Sequence, residues 1–317
     1  MSFKVIKGGF FSTLQDLGRF GHNHTGFSQG GSLDLKAACW ANYLLGNAMD
    51  CAVIEITLGQ LVLEAQQSTM IAVCGADMQV KINGRPLKPW RSAIIKAGDT
   101  VNFGHCQQGM RSYLSVLGGF ELPLQLGSVA TVSRDQLGGL NTGAKLQVDD
   151  VLPFSSVNIN KQHAFTQQCV PATYYQHGYQ STHHSWVSLN VFKGPQWHLF
   201  SGEDQQAFLQ QSYVLDQQSN RMAAKFNGAP LSSNIKGIVS QGINLGAIQV
   251  PPNGLPVALL NDRQTLGGYA KIANLTSQAC WKLAQLPPGC HVQFRLVDLA
   301  TEQAKLRQFY RFFGVNL

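Results

Sequence analysis

Arg221, Gln249, Asp262, Gln264, Thr265 and Tyr269 are the residues of this chain best suited to chemistry. All but Arg221 fall in one stretch, GAIQVPPNGLPVALLNDRQTLGGY, from Gly246 to Tyr269. A carboxylate at 262 orients a substrate amide or accepts a proton, or else caps a turn. The Arg221 guanidinium offers a two-pronged fork to a carboxylate or phosphate, or simply a surface ion pair. Gln249 and Gln264 hydrogen-bond an amide or urea-like group, or satisfy strand-edge backbone. Tyr269 is read as a ligand contact or as a core residue with its hydroxyl at the surface. In the first half, Asp34 and Ser32 are candidate helix caps.

These groups need elements to hold them. Ala247, Ile248 and Val250, then Val257 to Leu260, predict two buried strands around a Pro/Gly turn. Gly267 and Gly268 let the backbone turn sharply or approach a ligand. The polar residues between are costly to bury unless hydrogen-bonded. Upstream, FKVI predicts a first strand, and residues 10–34 form a glycine-punctuated loop carrying Arg19 and Asp34. A helix follows over LDLKAACWANYLLGN, with Ser32 as candidate cap and Gly46 as stop. Short branched runs between Ala52 and Leu117 predict a barrel or sandwich, with a type I′ hairpin at Asn83-Gly84. SQACWKLAQL and LATEQAKLRQFYRFF predict later helices, and HVQFRLV a strand.

At 317 residues the chain accommodates about two domains, on a prior of ~150 residues each. The expected division is an N-terminal β-rich domain with one helix over 1–155, a polar linker over 156–185, and a C-terminal barrel domain with a closing helix over 186–317. Charged residues make up only 13%, against about 25% in average usage, and glycines number 32. That balance suits turn-rich β structure. The net charge of +7 favours anionic partners, but no basic cluster or RNA-binding signature points to nucleic acid. The seven scattered cysteines contain no CxxC pair, which argues against a disulfide framework or zinc ribbon. His177, His183 and His184 read as solvated loop residues, so no metal is expected. With no signal peptide and no apolar run near ~18 residues, a cytoplasmic location is expected.

Two motif matches are set aside. GFSQG, from Gly26 to Gly30, fits G-x-S-x-G, yet HNHT precedes it where a nucleophile elbow requires a strand. GLNTGAKL, from Gly139 to Leu146, grazes a phosphate-loop pattern but places Ala144 where that pattern requires Lys.

The ordered motifs STLQDLGRFG, GGSLD followed by ANYLLGN, CGAD, YLSVLGG, LGSVAT, KGPQ, GAIQVPPNGLPVALL and DRQTLGGY resemble the biotin-dependent carboxyltransferase-like family. That family includes allophanate hydrolase subunit 2, the C subunit of 5-oxoprolinase and the antagonist of a sporulation-kinase inhibitor. The likeness runs from Gly9 to about Val297. It implies a mainly β fold of two cyclophilin-like antiparallel barrel domains with a few helices. It also implies work beside a smaller cyclophilin-like sister subunit of the allophanate hydrolase subunit 1 type, with a third subunit in the 5-oxoprolinase case. There ATP would drive opening of the 5-oxoproline lactam to glutamate. Arg221, Gln249, Asp262, Gln264 and Thr265 match pocket-like motifs of the second half, with Arg19 and Asp34 matching those of the first. Two further readings accompany it: carboxyl transfer to urea or allophanate-like amides, and a non-catalytic regulator binding a kinase inhibitor. The chain has no A-M-K-M biotin attachment tetrapeptide, so a biotin carrier would be another protein. Three positions depart from the family pattern: Asn220 replaces Asp, Ala144 replaces Arg ahead of Lys145, and Ala270 replaces Pro after Tyr269.

Overall fold

The computed structural model describes residues 1–155, 168–175, 185–232, 235 and 237–315. It is mainly β, as expected, and its contacts cluster into two compact units. One comprises Met1–Phe20 and Gly30–Gln180; the other comprises Gly21–Gln29 and Ser181–Leu317. The expected boundaries are therefore crossed twice. The loop Gly21–Gln29 belongs to the second unit. Within the expected linker, residues 168–175 pack on the first, with Ser92 N–H donating to the Gln168 carbonyl at 3.0 Å and Val170 buried. His177, His183 and His184 lie outside the described residues.

The first unit carries its strands in two sheets. One runs Val151–Pro153, Ser2–Gly8, Leu61–Ala65, Thr100–Asn102, Lys81–Ile82, Arg85–Pro86; the other runs Phe11–Gln15, Val53–Thr57, Gln108–Val116, Thr69–Asp77, Arg91–Ile95. Phe3, Val5, Leu61, Leu63 and Val101 of the first sheet share a core with Leu14, Ile54, Ile56, Ile71 and Leu114 of the second. Each sheet buries its apolar face against the other. The predicted Asn83-Gly84 hairpin is present, with φ of 48° and 80° as a type I′ turn requires. The strand Phe11–Gln15 lies where a loop was expected. Ser12, Thr13, Leu14 and Gln15 are all buried, so no polar/apolar alternation marks it in the sequence.

The helix Leu35–Tyr43 covers the centre of its predicted range, but Asp34, not Ser32, is its cap: the Asp34 carboxylate accepts the Ala37 N–H at 3.2 Å. The helix ends at Tyr43 with Leu44 as its C-cap, and Gly46 with φ 70° turns the chain away.

In the second unit, seven strands close a barrel in the order Trp186–Lys193, Ala270–Leu275, Ala247–Val250, Val257–Leu259, Ala223–Asn227, Tyr213–Leu215, His291–Leu296. One pair departs from the antiparallel expectation: Trp186–Val191 and His291–Leu296 run parallel. Phe208 of the helix Gly202–Gln210 stacks on Phe294 at 4.7 Å between centroids, and Tyr213 and Phe226 join the same aromatic cluster. The helices Ser277–Leu283 and Leu299–Phe312 occupy their predicted places, capped by Thr276 and Asp298. No described helix is long and apolar enough to cross a membrane.

Candidate active site

The strands Ala223–Asn227 and Val257–Leu259 pair antiparallel, and their hydrogen bonding continues past the ends. Leu260 N–H donates to the Met222 carbonyl at 2.8 Å and Asp262 N–H to the Arg221 carbonyl at 3.1 Å. That extension brings together two residues 41 positions apart. Arg221 Nε and Nη2 donate to Asp262 Oδ2 and Oδ1, each at 2.9 Å. Both residues are 6% exposed. The fork foreseen for Arg221 is thus met by Asp262 itself, in a buried bidentate pair. Asn220, one position before, is exposed and its Oδ1 accepts the Met222 N–H at 2.8 Å. An amide oxygen makes this turn as an aspartate would.

Arg263, next along the elbow, carries no weight in the sequence reading yet is buried at its centre. Its Nε donates to the Ile243 carbonyl at 2.9 Å, Nη1 to the Leu260 carbonyl at 3.3 Å and Nη2 to Gln29 Oε1 at 3.5 Å. Burial lowers its pKa to about 10, while the neighbouring Cys280 and Asp262 act to raise it. Ser28 of the GFSQG loop donates its hydroxyl to the Arg263 carbonyl at 3.0 Å. The loop therefore latches the elbow through Ser28 and Gln29, and the serine is held as a donor to backbone.

A second polar group forms around the strand Ala270–Leu275. Gln249 and Lys271 are register partners, so their side chains share one face of the barrel wall. Lys271 is 4% exposed, and its Nζ lies 3.2 Å from Gln241 Oε1. Gln196 of the KGPQ motif accepts the Lys271 N–H at 3.1 Å and donates to the same Gln241 oxygen at 3.1 Å. Burial lowers the Lys271 pKa. Gln249 Nε2 points to the Tyr269 carbonyl at 3.5 Å. The strand Gln241–Gly242 pairs with Leu266–Gly267, and Ile243 N–H donates to the Thr265 carbonyl at 3.0 Å. Residues 241–243 thereby link the Lys271 group to Arg263. Gln264 and Thr265 are half-buried and Tyr269 is 45% exposed, so the ring of Tyr269 is at the surface and not in the core.

Arg19 and Asp34 sit in the first unit, in networks of their own. Arg19 is buried and its Nε donates to the Gln125 carbonyl at 3.1 Å, beside the LGSVAT loop. Asp34 caps its helix, and its N–H donates to the Tyr113 hydroxyl oxygen at 2.7 Å. Tyr113 in turn donates to Glu55 Oε2 at 2.9 Å, which also accepts the Leu33 N–H at 2.9 Å. Burial, then the Glu55 charge, pushes the Tyr113 pKa up.

A family model for "Carboxyltransferase domain, subdomain A and B" matches residues 25–296. The chain belongs to this carboxyltransferase-domain family. Within the family it is 35% identical over 307 residues to the C subunit of 5-oxoprolinase from Escherichia coli (strain K12), covering 96% of this chain and 94% of that protein. It is 27% identical to urea amidolyase of Saccharomyces cerevisiae over 96% of this chain, which is 17% of that protein's length. The crystal structure of the Kluyveromyces lactis urea carboxylase matches 98% of this chain with a TM-score of 0.88 at 26% identity, the match spanning 29% of that longer chain.

Two residues of the site were missed, and each had a signal. Arg263 adjoins Asp262 in NDRQ, where the chain leaves a strand. Lys271 stands in AKIANL, a cation inside an apolar strand pattern. By contrast, the Gly138–Leu146 loop does not fit a nucleotide phosphate. The N–H groups of Gly138, Gly139, Gly143 and Ala144 already donate to Gln125 Oε1 and to the carbonyls of Val129, Gly138 and Asn141. Lys145 Nζ meanwhile donates to the Phe10 carbonyl at 2.9 Å.

Proposed function

We propose that this chain is one component of an ATP-dependent 5-oxoprolinase-type amidohydrolase complex that opens the 5-oxoproline lactam to glutamate. The observation carrying this reading is the nearly end-to-end correspondence with the C subunit of 5-oxoprolinase, at 96% of one chain and 94% of the other. The site supports it chemically. A lactam carbonyl is resonance-stabilised, and opening it develops negative charge on oxygen; buried cations and amide donors stabilise such charge. The elbow supplies Arg221 paired to Asp262, and Arg263, and the adjoining wall supplies the Gln249 amide. ATP dependence is assigned to the complex, with a smaller sister subunit and a third subunit as partners. The test is co-purification with those subunits and an assay for glutamate released from 5-oxoproline. Release only with ATP is the expected result, and no release from the full complex would overturn the reading.

Carboxyl transfer from a separate carboxybiotin carrier to a urea-like amide is the second reading. The TM-score of 0.88 to a urea carboxylase favours it. Avidin sensitivity of the reconstituted activity would select it over the first. Asn220 lends no support to a decayed, purely regulatory protein, because it keeps the turn that an aspartate would make.

A further inference from the structure

Lys271 is a buried charge of the second unit with few partners. Its ammonium has three N–H donors, and among the described residues its one acceptor is Gln241 Oε1. That oxygen also accepts from Gln196 Nε2, so it is already shared. Among the described residues no carboxylate acts on Lys271; burial accounts for its lowered pKa. A lysine side chain this buried, with its part-buried ammonium beside no carboxylate among the described residues, is unfavourable, and proteins resolve such groups by pairing them.

The surroundings are arranged for an anion with an amide beside it. Gln249, opposite Lys271 on the same face, has among the described residues one side-chain contact, the long one to the Tyr269 carbonyl. Gly267 leaves room for it: a Cβ there would lie 2.9 Å from Gln249 Nε2 and 2.7 Å from Ile243 Cδ1. The ribbon that carries Gln241 pairs with Leu266–Gly267, and Leu266 and Tyr269 are exposed apolar surface on the same segment. A small ring bearing one carboxylate and one amide matches this set: a cation, an amide and an apolar edge.

We propose that Lys271 and Gln249 form a carboxylate-binding subsite, with Lys271 pairing to the carboxylate of the substrate and Gln249 hydrogen-bonding its ring amide. The identity of the carboxylate as that of 5-oxoproline rests on the functional reading above; the subsite itself rests on the geometry.

The experiment compares 5-oxoproline with 2-pyrrolidinone, the same lactam without the carboxylate, in the reconstituted complex. Lys271→Met should raise KM for 5-oxoproline by about tenfold or more, as for a lost charge-assisted pair, and leave 2-pyrrolidinone unchanged. Lys271→Arg should recover part of the loss, and Gly267→Ala should weaken both ligands by displacing Gln249. An unchanged KM for 5-oxoproline in Lys271→Met, or an equal loss with 2-pyrrolidinone, overturns the subsite. If the wild-type complex opens no 5-oxoproline, the functional reading fails and a second measurement on the full chain decides. The 13Cε resonance of labelled Lys271, assigned by its absence in Lys271→Met, should shift when acetate is added. A resonance that acetate does not move overturns the proposal.

Discussion

The cluster around Tyr113 in the first unit and the 262 elbow in the second both bury charge, the first mainly as carboxylates and the second mainly as cations. Around Tyr113 the first unit buries two carboxylates, Asp34 and Glu55, and each accepts a backbone N–H within hydrogen-bond distance. Around the 262 elbow the second unit buries three cations, Arg221, Arg263 and Lys271, with Asp262 as the carboxylate among them. Arg263 is held by carbonyl oxygens and Lys271 by one shared amide oxygen. A buried network closed by backbone donors fixes a loop against a helix. One that keeps excess positive charge is prepared for an anion or for charge developing on a carbonyl.

The largest effect is expected at Asp262. Asp262→Ala leaves the Arg221 guanidinium buried without its carboxylate, and unfolding in urea should show a loss of about 3–5 kcal/mol. Replacing both partners with apolar residues should restore much of that stability. It should not restore turnover, which is expected to fall about a hundredfold in either variant. Wild-type glutamate release from Asp262→Ala or Arg221→Ala would remove the elbow from the site.

Glu55→Gln is the matching change in the first unit. It should cost about 1–3 kcal/mol by disturbing the Tyr113 and Leu33 donors, while the folded complex turns over near the wild-type rate. A collapse of turnover there would make the two units functional equals.

Asp34→Ala bears on the same contrast, since Asp34 is both a helix cap and a candidate substrate contact. As a cap alone it contributes about 1 kcal/mol, read from thermal unfolding. Loss of substrate affinity beyond that modest destabilisation would return Asp34 to the site.

Lys271→Met should stabilise the free chain by about 1 kcal/mol near neutral pH, because the charged form is disfavoured in the fold. The sign with pH follows from the lowered pKa. Above the folded-state value the unfolded chain binds more protons, so wild-type stability rises with pH up to the ordinary lysine value. The advantage of the methionine variant should therefore shrink in alkali, as paired urea titrations at two pH values would show. Ser28→Ala gives the smallest effect, about 0.5–1.5 kcal/mol, for the lost bond to the Arg263 carbonyl.

Much of the fold was legible where local chemistry decides conformation. Asn83-Gly84 specifies its turn because both positions need positive φ. The helix Leu35–Tyr43 was visible from its apolar spacing, and of its two candidate caps, Ser32 and Asp34, the fold uses Asp34. The helix Gly202–Gln210 went unread because its exposed surface is polar, even though Ser201 followed by Asp204 is a capping pattern. Phe11–Gln15 went unread because a strand buried on both faces loses its alternation.

Residue types and their order were enough to name the side chains that could do chemistry at the elbow, Arg221, Asp262 and Gln249, along with the flanking glycines and the family to which the chain belongs. Their states came from the folded chain. Pairing of strands 41 positions apart turned Arg221 and Asp262 from two separate candidates into one buried ion pair. Barrel register set Lys271 opposite Gln249, where no carboxylate of the described residues acts on it. The excursion of Gly21–Gln29 into the second unit placed Ser28 and Gln29 on the elbow. Residue type fixes what a group can donate or accept, but its charge balance depends on neighbours that only long-range pairing brings within hydrogen-bond distance.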